Sequence, residues 1–145
     1  MMYLAPTLTL VLWLIAGLHA YWGFGGVWPA ADTSALARTV VGARGLNTMP
    51  PLGACVLVAA LLIGVGIWPL FAVGLLPPWW PPWLLAASGA AMSAVFLARG
   101  LAAYLSVWRR RVPEQPFATL DRQLFGPLCL ALGISFATLT ERGLL

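Results

Sequence analysis

Between Gly45 and Trp108 the chain carries a single charged residue, Arg99, in a stretch that is otherwise apolar or uncharged and punctuated by Gly and Pro. Few folds admit such a segment. A water-facing domain needs charge on roughly a quarter of its residues. Here 8% of 145 residues are charged and 61% are hydrophobic, too little charge to cover a soluble globule. A helix that crosses ~30 Å of hydrocarbon needs about 20 mostly apolar residues. Four stretches reach or approach that length: residues 4–28, 52–76, 83–108 and 123–140. None alternates with period two, and lipid admits only helices or closed barrels. The sequence therefore predicts an all-α, integral membrane four-helix bundle, a single transmembrane domain over 1–145.

The connections set its orientation. The first, 29–51, holds Asp32, Arg38 and Arg44, and Asp32-Thr33-Ser34 is a capping start for a short interfacial helix running through Thr39 and stopped by Gly42 and Gly45. The second, Pro77-Pro78-Trp79-Trp80-Pro81-Pro82, is an uncharged turn whose tryptophans suit the headgroup zone. The third, 109–122, is the most polar and holds Arg109, Arg110, Arg111 and Arg122. On the opposite side stand only Arg142 and the amino terminus. The positive-inside rule then puts the first and third connections in the cytoplasm and both termini on the non-cytoplasmic side of a bacterial inner membrane. No Lys or Arg precedes the first apolar run and no A-x-A-like site follows it, so it reads as a retained span.

Several function classes fall away. The net charge of +4, all its cations arginine, fits anionic lipid headgroups as partners. No Lys/Arg patch interleaved with exposed aromatics marks a nucleic-acid surface. Cys55 and Cys129 form no C-x-x-C pair and read as small hydrophobes. One histidine per chain gives bis-His haem ligation only in a dimer, which disfavours haem, and no ligand cluster has metal-site spacing. The expectation is no cofactor and no metal. A histidine could act as acid or base beside an oxyanion-stabilising arginine, but no nucleophile stands out and no catalytic residue is assigned.

Four residues remain as candidates for ligand binding. Arg99 precedes Trp108 by nine positions, about 13–14 Å of helix. Such an arginine either snorkels to lipid phosphates or holds a polar group inside the bundle. Its neighbours one turn away, Val95, Phe96, Ala102 and Ala103, include no acid, so a counter-charge must come from another helix, a lipid or a ligand. His19 precedes Trp28 by the same nine positions, which places it at a depth similar to Arg99, and it shares a helix face with Trp22. Asp121 stands where the fourth span begins, either as a helix cap or folded back towards Arg99. Ala86, Gly89, Ala90 and Ser93 look like helix-packing positions.

The block His19-Ala20-Tyr21-Trp22-Gly23-Phe24-Gly25-Gly26-Val27-Trp28-Pro29 resembles the H-x-x-W-x-x-G-G-x-W-P signature of a widespread bacterial family of small four-pass membrane proteins, catalogued as a domain of unknown function. Thr39-Val40-Val41-Gly42 with Met49-Pro50-Pro51, and the stretch Leu120-Asp121-Arg122-Gln123-Leu124-Phe125-Gly126-Pro127-Leu128-Cys129, are similar to it too. The resemblance implies fold and topology and brings no activity with it.

The leading functional expectation is a protein that binds an amphiphilic ligand (lipid, quinone or isoprenoid-like). Its pocket would lie in the inner leaflet, with His19, Trp22, Arg99 and Asp121 as ligand-binding residues and the first and third connections as a lid. One alternative is a non-enzymatic subunit or assembly factor docking into a larger membrane complex through its Gly/Ala faces. A small transporter working as a homo-oligomer ranks last, because the spans read from sequence lack an embedded carboxylate.

Overall fold

The computed structural model describes residues 3–143. Among them there is no strand. The helices are α1 (Leu4–Gly23), α2 (Thr33–Val40), α3 (Leu52–Ala72), α4 (Pro82–Ala102), α5 (Ser106–Arg111), α6 (Phe117–Leu120) and α7 (Gly126–Gly143). A π-helical turn, Asp121–Phe125, joins α6 to α7, so one helix runs from Phe117 to Glu141. That helix, α1, α3 and α4 are each long and apolar enough to cross a membrane. Only 17–33% of the residues in their most apolar windows are buried inside the molecule, and large side chains such as Leu10, Leu57, Leu61, Val95 and Ile134 point outward. In water those faces would be a liability. In a bilayer the hydrocarbon is their solvent.

The span boundaries differ from those read in the sequence. Helix α1 stops at Gly23 and not Trp28, because the N–H groups of Phe24, Gly25 and Gly26 fold back onto the carbonyls of Ala20, Trp22 and Tyr21, with Gly25 at φ 91°. Helix α3 stops at Ala72 and not Leu76, where Gly74 at φ 74° lets Leu76 N–H return to the Leu70 carbonyl. Helix α4 starts one residue early, with Pro82 in its first turn, and ends at Ala102, six residues before Trp108. Extended backbone at Leu105 separates it from α5. The fourth span begins six residues before Gln123, at Phe117.

The spans pack as two antiparallel pairs, α1 on α3 and α4 on α7. A Cβ at Gly23 would meet Cys55 and Leu52, and one at Gly66 would meet Trp13, so α1 and α3 approach closely at both places. Along the other pair, Gly89, Ser93 and Gly100 of α4 face Thr140, Gly133 and Gly126 of α7, and Ser93 Oγ donates to the Gly133 carbonyl at 2.9 Å. Helix association in lipid draws on such close packing, since the tails are as apolar as leucine. Gly89 and Ser93 serve as expected, whereas Ala90 is exposed.

The pairs meet in one cluster, Leu8 and Leu12 of α1, Trp68 of α3, and Leu132, Phe136 and Leu139 of α7. Trp68 Nε1 donates to Ser88 Oγ at 2.9 Å and to the Leu85 carbonyl at 3.2 Å, which pins α3 to α4. Phe136 is fully buried, stacked on Phe96 with centroids 5.6 Å apart.

At the end where α1 and α4 finish, the first and third connections lie together. The cap forms as expected, with Asp32 accepting from Ala35 N–H at 2.8 Å, and α2 runs one residue beyond Thr39. Gly42, at φ 67°, lies beneath the Phe117 ring with no room for a Cβ. Glu114 N–H donates to the Gly42 carbonyl, and a Glu114 carboxylate oxygen accepts from Gly45 N–H, both at 3.3 Å. At the opposite end Trp79 is exposed and Trp80 packs edge-on against Phe71.

Candidate functional site

Beyond Leu12 and Leu132 the two helix pairs separate, and a cleft of about 460 Å³ opens between them. Small-molecule sites typically span about 300–1,000 Å³ and are mostly apolar with a few placed polar groups. Ile15, Leu62, Phe96 and Leu132 supply apolar wall, and Val40 of α2 and Phe117 of α6 close over it. Three of the four candidate residues, His19, Trp22 and Arg99, line this cleft. Asp121 does not line it. It stands behind Arg99.

Neither reach nor depth is as the sequence implied. Arg99 lies in the last turn of α4 and His19 in the last turn or so of α1. Both are shallower than nine residues from a span end, yet they remain matched with each other. The local sequence explains Asp121. Pro127 has no N–H to offer the Gln123 carbonyl, so a regular α-helix would break there. Instead Gly126 N–H bonds to the Asp121 carbonyl five residues back, forming the π-helical turn. Asp121 is thus no cap. It is a buried residue inside a continuing helix, with 2% of its surface exposed.

Its carboxylate is fully engaged. Oδ1 accepts from Arg99 Nη2 at 2.6 Å and Oδ2 accepts from Trp108 Nε1 at 2.9 Å. The Arg99 guanidinium also lies over the Trp108 ring, 5.0 Å from its centroid. The counter-charge comes from another helix, one of the sources left open by sequence. This carboxylate lies near the start of Phe117–Glu141, the fourth helix long and apolar enough to cross a membrane. It is held in an ion pair.

One donor is left over. Arg99 Nη1 is buried and has no hydrogen-bond partner. Leaving a buried donor unmade costs about 1–3 kcal/mol, more for a charged group. His19 carries the second available atom. Its Nδ1 lies 2.8 Å from the Ile15 carbonyl, which can only accept, so Nδ1 donates and Nε2 is left free as an acceptor in the neutral ring. The His19 and Trp22 rings pack at 5.3 Å, and Trp22 Nε1 is taken by the Trp28 carbonyl at 2.7 Å. Trp22 therefore lines the cleft with its donor already spent on the chain turn. Arg99 and His19 thus bring a guanidinium and an imidazole to the residues that line the cleft.

Sequence reasoning missed Trp108, Phe96 and Phe117. Trp108 reads from the sequence only as the end of the third span, and nothing in its spacing distinguishes it from the chain's other tryptophans. Gly126-Pro127 inside an apolar stretch is the one local signal of the π-helical turn. Cys129 lines the cleft, while Cys55 lines an adjoining cavity of about 170 Å³ that shares His19 and Trp22. Among the described residues no three His, Cys, Asp or Glu side chains gather as a metal site.

Four apolar helices in two pairs, with a cleft at the arginine-bearing end, define a multi-pass helical membrane protein. The chain belongs to the family described as protein of unknown function DUF3995, which it matches over residues 12–136. That range includes His19, Trp22, Arg99, Trp108 and Asp121. No curated protein and no solved structure matches the chain.

Proposed function

We propose that this protein binds an amphiphilic small molecule (a lipid, quinone or isoprenoid-like compound) in the cleft. Its apolar tail runs along Ile15, Leu62 and Leu132, and its polar head meets Arg99 and His19. The buried, unpartnered Arg99 Nη1 carries this reading. An acceptor oxygen on the head recovers the hydrogen bond that the folded chain leaves unmade. Asp121 already neutralises the guanidinium, so a carbonyl or ester oxygen suffices and a free anion is not required.

Six arginines in the first and third connections support placing this end on the cytoplasmic side of a bacterial inner membrane, with both termini opposite. The cleft then opens in the inner leaflet. A docking subunit would present its small-residue seam outward, but Gly89, Ser93 and Gly100 are used inside the molecule against α7, which favours the cleft over the subunit reading.

Native mass spectrometry of the detergent-purified protein tests the proposal. Wild type is expected to carry an adduct of defined mass. His19→Ala and Arg99→Gln should each reduce its occupancy, by about ten- to a hundredfold for the arginine if a charged hydrogen bond of about 1.5–3 kcal/mol is lost. Absence of any such adduct, or wild-type occupancy in both variants, contradicts it.

A further inference from the structure

A second cavity lies at the same end of the molecule. It is about 390 Å³, bounded by Arg109 and Arg110 of α5, Arg122 of the π-helical turn, and Ser106 and Gln115. Its three arginines are exposed, and among the described residues none has a salt-bridge or side-chain hydrogen-bond partner. Like charges gathered this way repel one another, and among the described residues no carboxylate lines the cavity to compensate. The cluster is nevertheless held in place. Trp108, one residue before Arg109, is fixed by Asp121, and the Tyr104 hydroxyl donates to the Arg122 carbonyl at 3.0 Å. Two elements are thus tied so that their arginines converge on one space.

The surroundings identify the occupant. Leu105 and Val107, on either side of the cavity-lining Ser106, are exposed and apolar. A free anion has no use for that apolar border, whereas a phospholipid places its phosphate beside hydrocarbon. Guanidinium groups bind phosphate oxygens in two-bond forks, and basic pockets at the ends of membrane helices suit anionic headgroups. We infer that Arg109, Arg110 and Arg122 form a headgroup site for the phosphate of an anionic phospholipid. The site is separate from the cleft and does not depend on it.

The test is competition binding by native mass spectrometry with defined phosphatidylglycerol, phosphatidylcholine and inorganic phosphate. Wild type is expected to retain phosphatidylglycerol over phosphatidylcholine, and excess inorganic phosphate should not displace it. Arg110→Gln/Arg122→Gln should lower retention about thirtyfold, given about 1 kcal/mol per arginine near a charged surface. Arg44→Gln/Arg111→Gln removes the same charge from exposed positions outside the cavity and should change retention little. Equal loss in both double variants would reduce the effect to net charge and overturn the site. Displacement by inorganic phosphate would overturn the lipid as its occupant. These substitutions leave the cleft residues intact, so failure here is distinguishable from failure of the proposed cleft ligand.

Discussion

Replacing Asp121 with Ala is expected to lower the thermal unfolding midpoint by about 5–10 °C. Removing one partner of a buried ion pair costs about 3–5 kcal/mol because the other charge is stranded. The Arg99 side chain is 32% exposed, so solvent screens part of that charge. The cost falls to about 2–3 kcal/mol, and each kcal/mol is worth about 2–4 °C in a chain of this size. Trp108 loses its acceptor as well, which frees α5. Asp121→Asn keeps an oxygen for Trp108 and should lose roughly half as much. Removing both charges with Arg99→Met/Asp121→Leu should recover most of the loss, since no unpaired ion then remains. A thermal melt of the three variants measures this directly. A double variant no more stable than Asp121→Ala would show that no stranded charge is relieved, and so contradict the ion-pair account.

Gly42→Ala should also be costly, and for two reasons that add. The residue sits at φ 67°, where an L side chain costs about 1–2 kcal/mol. A Cβ there would also overlap the Phe117 ring, and overpacking adds about 1–3 kcal/mol. The change acts locally. Phe117 must move off the end of the cleft, and the Glu114 hydrogen bonds to Gly42 and Gly45 loosen with it. Hydrogen exchange should therefore accelerate in residues 42–46 and 114–118 and stay slow along the α4–α7 seam around Ser93 and Gly133. Unchanged exchange in the first two segments would mean that the connections are not coupled through Gly42.

The spans were legible because hydrophobicity and length alone specify them, and the α2 cap was legible because Asp32 acts on its own next residues. The ends of the spans were not. Hydropathy continues smoothly through Tyr104, Leu105 and Val107, yet Trp108 of that stretch is claimed by Asp121 thirteen residues further on. Such a bond between side chains leaves no trace in a window of apolar residues. Asp121 was legible as important but not as buried, because a cap and a π-helical turn differ by which carbonyl Gly126 N–H selects. Arg99 and His19 were found from the scarcity of charge. Their sharing of one cleft follows from the topology, since both close the spans that end on the same side. Phe96 and Phe117 could not be chosen from the other aromatics without the fold.

Density beside Arg99 in a lipid nanodisc, seen by electron cryomicroscopy or crystallography of the wild-type protein, tests the proposed binding most directly. Ligand binding in the cleft predicts an elongated feature between α1 and α4, with its polar head within hydrogen-bond distance of Arg99 Nη1. A collapsed cleft, with the Arg99 guanidinium withdrawn from Asp121 to the surrounding headgroups, would contradict it.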